Sequence, residues 1–145
     1  MSEFFITSSD FKEGEEIPKK FGYKFGNETP NIQFHNFPSE SYSWALIMDD
    51  PDAVAAVGKV WVHWLVCNTS SEIGNIKNGI NGETDFGETD YGGPAPPNGR
   101  HTYIFKVYAL DTKLELVKGY SKQELEDAMK NHIIAEAKLT GTFTP

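Results

Sequence analysis

Three long runs of strand-forming residues constrain what this chain can fold into. SYSWALIM (Ser41–Met48), KVWVHWLVCN (Lys59–Asn68) and HTYIFKVYAL (His101–Leu110) are rich in β-branched and aromatic residues, with glycine, proline and aspartate clustered between them. The first run is continuously apolar and ends at DDPD, which predicts a buried strand. Strand alternation in the second puts Val60, Val62, Trp64 and Val66 on one face, and Trp61, His63, Leu65 and Cys67 on the other. In the third, His101, Tyr103, Phe105 and Val107 share a face. Residues 1–40 carry short aromatic runs between glycines and prolines, which predicts loops and a short strand near Ile32–Phe34. One helix is predicted, about Lys122 to Thr140. Ser121 and Glu124 form its capping box, Leu125, Ala128, Met129, Ile133 and Ala137 its apolar stripe, and Gly141 its C-cap. DAVAAVG, after Pro51, predicts a weaker short helix or turn. Strands come first and the long helix last, without βαβ alternation, so the class is mainly β (α+β).

A chain of 145 residues fits a single domain spanning 1–145. Its net charge of −8 opposes nucleic-acid binding and weakens attraction to anionic membranes. The single cysteine, Cys67, excludes an intrachain disulfide. No basic leader and no run of ~20 apolar residues occurs, so a soluble, cytoplasmic protein is expected, not an integral membrane one.

The polar groups suited to chemistry cluster at strand ends. Pro51 forces Asp50 into an extended conformation; Asp50 is either an ordinary turn residue or a site carboxylate. His63 lies in an apolar strand beside Trp61. It is either a core histidine bonded to a backbone carbonyl or part of a half-apolar ligand wall. Residues 71–99 form a long polar connection, a length that is usually functional or disordered. Its end, YGGPAPPNG, is stiff and poor in N–H donors and leads directly into His101 and Tyr103. Two imidazoles, a phenol and a carboxylate would suit an oxyanion if their strands are neighbours. The same residues permit a two-histidine, one-carboxylate metal site, although nothing gives them close ligand spacing. A nucleophilic hydrolase is disfavoured, because there is no G-x-S-x-G elbow.

DPDA after an apolar strand, VHWLVCN, and YGGPAPPNGRHTYIFKVYALD together resemble the phosphatidylethanolamine-binding protein family, which includes the Raf kinase inhibitor proteins. The opening SSDFKEGEEIPKKFG, GNETP and the ending AEAKLTGTFTP extend the resemblance over nearly the whole chain, towards the short prokaryotic branch. It implies a large antiparallel sheet packed on a smaller one, with a helix to the side. It also implies a pocket for phosphate or phosphoethanolamine, built here from Asp50, Trp61, His63, Gly93, Pro94, His101 and Tyr103. The expected role is a regulatory binding module, without cofactor or metal, as a monomer or homodimer. The alternatives are an inhibitor that docks a kinase or protease, and a hydrolase using the His–Asp groups. The chain departs from the family pattern at Val54, where a proline is usual, and at Ala95, where many prokaryotic relatives have cysteine. The extra C-terminal helix of longer eukaryotic members has no counterpart in the sequence.

Overall fold

A computed structural model describes residues 3–67 and 79–145. Strands β1 (Phe5–Thr7) and β2 (Gln33–His35) make a small antiparallel sheet. Strands β3 (Ser43–Asp50), β4 (Trp61–Cys67), β5 (Ile80–Asn81), β6 (His101–Leu110) and β7 (Ile133–Phe143) make a larger one, in the order β5-β4-β3-β6-β7, antiparallel throughout. Helix α1 (Ala53–Val57) joins β3 to β4, and α2 (Lys122–Met129) precedes β7. The fold is mostly β with two antiparallel sheets, as the strand runs require. The part of the 71–99 connection that spans 71–78 lies outside the described residues.

Two cores sandwich the large sheet. On one side Trp44, Leu46 and Met48 of β3 pack with Phe105 and Val107 of β6 against Ile6 and Phe34 of the small sheet and Phe4 just before it. On the other, Ala45 and Ile47 pack with Leu65 and Cys67 against Leu114, Tyr120, Leu125 and Met129. Strand β3 is therefore buried along its whole length, which explains its unbroken apolar run.

The predicted 122–140 helix is corrected to a helix and a strand. The capping box forms as expected: the Glu124 N–H donates to Ser121 Oγ, and the Ser121 N–H to Glu124 Oε1, each at 3.0 Å. The helix then stops at Met129, and Asn131 turns the chain with a left-handed φ of 69°. Residues from Ile133 onward pair with β6 from Leu110 back to His101. The stripe misled because a spacing of four, Ile133 to Ala137, fits a helical turn and a strand's period of two alike. Gly141 is not a C-cap. It lies in β7, where a Cβ would sit 2.6 Å from Ile17 Cγ1 and 2.8 Å from Phe11 Cε2.

The end of β7 is also held by the start of the chain. The Ile17 N–H donates to the Thr142 carbonyl (2.7 Å) and the Thr142 N–H to the Glu15 carbonyl (3.0 Å). This covers an edge that would otherwise present free backbone groups. Helix α2 is anchored by Leu125, which is fully buried under the sheet. Leu125→Ala is expected to lower unfolding free energy by about 2–5 kcal/mol, read as a lower urea midpoint at unchanged m-value.

Candidate functional site

The site forms where β3, β4 and β6 end side by side. Strand β4 holds one residue more than its partner there: Met48 pairs with Trp64 and Asp49 with Val62, leaving His63 as a bulge. The bulge overturns the simple alternation expected for β4. Val62 packs in the core with Leu65 and Cys67, while Trp64 and Val66 point to the opposite side. His63 is thereby separated from the Leu65/Cys67 face and meets Tyr103, their rings 5.1 Å apart and edge to face.

Asp50 closes β3 with both carboxylate oxygens engaged. Its Oδ1 accepts the Asp52 N–H (2.9 Å), fixing the turn into α1, and its Oδ2 lies 2.6 Å from His101 Nδ1. Both residues are buried, 3% and 6% exposed. Such a short contact, shielded from water, is a strong charge-assisted hydrogen bond. The neighbouring Asp49 points to the other side of the sheet, towards Lys122 (3.2 Å) and Lys106 (3.4 Å). His63 Nδ1 lies 2.7 Å from the Gly92 carbonyl, and the Gly92 N–H returns a bond of 2.9 Å to the His63 carbonyl. Burial lowers the His63 pKa below its ordinary value; the Gly92 carbonyl and the Asp50 charge oppose this without reversing it.

Tyr103 is wholly buried beneath the two imidazoles. Its hydroxyl lies close to the Asp50 carboxylate and the Ala95 backbone but in hydrogen-bond geometry with neither. Burial and the Asp50 charge push the phenol pKa strongly up, so it stays protonated.

These residues border a cavity of about 170 Å³ lined by Asp50, Trp61, His63 and His101, by Ala53, Ala56 and Val57 of α1, and by Phe86, Ala95 and Pro97. It is smaller than the roughly 300–1,000 Å³ of sites for drug-sized ligands. Of the seven residues expected at the site, four line it directly. Tyr103 supports it from below. Gly93 and Pro94 brace the lip from outside the cavity, where Ala95 and Pro97 provide the wall instead. A Cβ on Gly93 would lie 2.0 Å from the Phe21 carbonyl oxygen, and the Pro94 carbonyl accepts the Tyr23 N–H at 2.9 Å.

Sequence reasoning passed over Asn27 and Phe86. Asn27 has a left-handed φ of 52°; its side chain donates to the Tyr91 carbonyl (3.1 Å) and accepts the Gly93 N–H (2.7 Å). Its place in GNETP, a turn-type stretch, was the available signal. Phe86 stacks on Tyr23 (4.1 Å between centroids) and meets Trp61 and His63 edge to face, but no local pattern marks it. Among the described residues no group of three His, Cys, Asp or Glu side chains is placed to hold a metal ion. None of their helices is long and apolar enough to cross a membrane.

The family model described as phosphatidylethanolamine-binding protein matches residues 7–144. The chain belongs to this family. A UPF0098 protein of Chlamydia muridarum is 39% identical over 145 residues, covering 95% of this chain and 97% of the relative. Among solved structures, a phosphatidylethanolamine-binding protein homolog from Chlamydia trachomatis superposes with a TM-score of 0.90 at 35% identity, covering 100% of this chain and 99% of its own. YbcL of Escherichia coli, a member of the same family, also gives a TM-score of 0.90, at 28% identity and 99% coverage of both chains.

Two outcomes follow from this geometry. Asn27→Ala is expected to cost about 1–3 kcal/mol in chemical denaturation, because the Tyr91 carbonyl and the Gly93 N–H lose their partner. His63 gives a pH dependence of known sign. Its folded pKa is depressed, so the unfolded chain binds more protons once pH drops below the ordinary value of 6.5, and stability falls as the solution is acidified. The loss is at most about 1.4 kcal/mol per pH unit. Melts of the parent and His63→Gln across that window should show a shallower acid loss in the variant.

Proposed function

We propose that this protein is a binding module for a small phosphate-like anion, free phosphate or a phosphoethanolamine headgroup, and that occupancy serves a regulatory role like that of the Raf kinase inhibitor proteins. The observation that carries this reading is the buried Asp50–His101 pair at the cavity wall. Asp50 engages Nδ1 and fixes the ring's orientation, which leaves Nε2 as the ring nitrogen available to a ligand. The second imidazole, His63, is oriented in the same way by the Gly92 carbonyl. The cavity volume suits a headgroup-sized anion whose remainder stays outside. Membership of the family supports a binding role of this kind. The single cysteine, Cys67, is buried on the far face of the sheet with Leu65 and Tyr120 and offers no thiol to the cavity.

His101→Ala and Asp50→Ala should each weaken binding of inorganic phosphate by about tenfold or more in calorimetry, since each removes a charge-assisted bond from a shielded site. Circular dichroism and melting should confirm that both variants remain folded. Affinity unchanged in both folded variants would refute the reading.

A further inference from the structure

The protonation state of the bound group can be argued from hydrogen-bond connectivity, an inference that rests on the anion-binding reading. His63 Nδ1 faces a carbonyl oxygen and His101 Nδ1 faces a carboxylate oxygen. Neither an amide carbonyl nor an ionised carboxylate has a proton to give, so in each ring Nδ1 carries the hydrogen. A neutral imidazole then offers only a lone pair at Nε2, which repels an oxyanion. The Asp50–His101 pair can take up one further proton, making His101 Nε2 a donor and raising the charge of the pair from −1 to zero. That count is the same whether the shared proton rides on Oδ2 or on Nδ1. His63 has no carboxylate on its ring, and its Nε2 remains an acceptor.

The rest of the wall brings no positive charge. Ala53, Ala56, Val57, Phe86, Ala95 and Pro97 are uncharged, and no lysine or arginine lines the cavity among the described residues. The charged and titratable groups around the two imidazoles are Asp50 and, more remotely, Asp49 on β3, Tyr103 on β6, Asp52, whose carboxylate holds the Thr102 N–H beside His101, and Lys59, whose Nζ lies 5.9 Å from the centre of the Trp61 ring. Of these only Lys59 is a cation, and it does not line the cavity. A dianion here would stand beside a pair of zero net charge in a shielded space, at a large desolvation cost.

We infer that the cavity selects a singly charged phosphoryl group that keeps one O–H: its oxyanion accepts from His101 Nε2, and its O–H donates to His63 Nε2. The class is a phosphomonoester monoanion or dihydrogen phosphate. A phosphodiester, as in an intact phospholipid headgroup, has the single charge but no O–H, and leaves His63 Nε2 unpaired.

Methyl phosphate, whose second pKa is roughly 6, and dimethyl phosphate, singly charged throughout, separate these cases. Both are titrated calorimetrically into the unmodified protein from about pH 5.5 to about pH 8.5. Histidine titration affects both ligands and cancels in the ratio of their dissociation constants. At the acid end methyl phosphate should bind about fivefold tighter, the worth of one added hydrogen bond. Above its second pKa the ratio of its constant to that of dimethyl phosphate should climb about tenfold per pH unit. The phosphorus NMR shift of bound methyl phosphate should stay at the monoanion value at about pH 7.5. A flat ratio, a bound dianion shift, or tighter binding of dimethyl phosphate at the acid end would overturn this inference and leave the anion-binding reading standing. Failure of both esters and of inorganic phosphate to bind at any pH would overturn the two together.

Discussion

The extra residue in β4 is the feature on which the site depends. A regular strand through Trp61–Cys67 would keep His63 on the side of Leu65 and Cys67, beneath α2. The bulge opposite Met48 and Asp49 shifts the phase by one residue, so the imidazole faces Tyr103 and Trp64 still packs in the core. Bulges commonly re-aim a side chain at the rim of a sheet. The cost of the interrupted ladder is offset nearby: the Val62 N–H finds Asp85 Oδ2 (2.7 Å), and the His63 carbonyl finds the Gly92 N–H.

The loop carrying Gly92 and Gly93 is thus more than a rim. It serves as a substitute edge for β4, and its own position is set from behind by Asn27, by the Tyr23–Pro94 backbone bond and by the Tyr91 hydroxyl on the Phe21 carbonyl. Glycines are required where Gly92 passes the Phe86 ring and Gly93 passes the Phe21 backbone, since a Cβ at either would overlap those atoms. The loop therefore transmits the placement of residues 21–27 to the orientation of His63.

Much of this was legible from residue order alone, and the reasons are local ones. The β3 and β6 runs, the capping box at Ser121 and the short helix after Pro51 each depend on neighbours within a few positions. The cavity residues Asp50, Trp61, His63 and His101 could be singled out because a polar or amphipathic side chain at the end of an apolar strand is conspicuous. The bulge could not be read, because it is a relation between β3 and β4, and either strand alone is regular. The end of α2 was misplaced because Ile133 and Ala137 satisfy both periods, and only pairing with β6 decides between them. Phe86 and Asn27 reach the site from distant segments whose convergence is a property of the whole fold.

The clasp between residues 15–17 and Thr142 has a consequence for how the protein is made. His101, which begins β6, lies directly opposite Phe143. A chain emerging from the ribosome at about 5–20 residues per second can lay down β3 and β4 early, but the pairing that seats His101 waits for Phe143, about forty residues later. Up to that moment β6 has an open edge, and residues 13–17 have nothing to close upon. The candidate site is therefore completed only once β7 has been made, and a nascent chain halted before β7 would hold Asp50 without the strand pairing that seats His101 beside it.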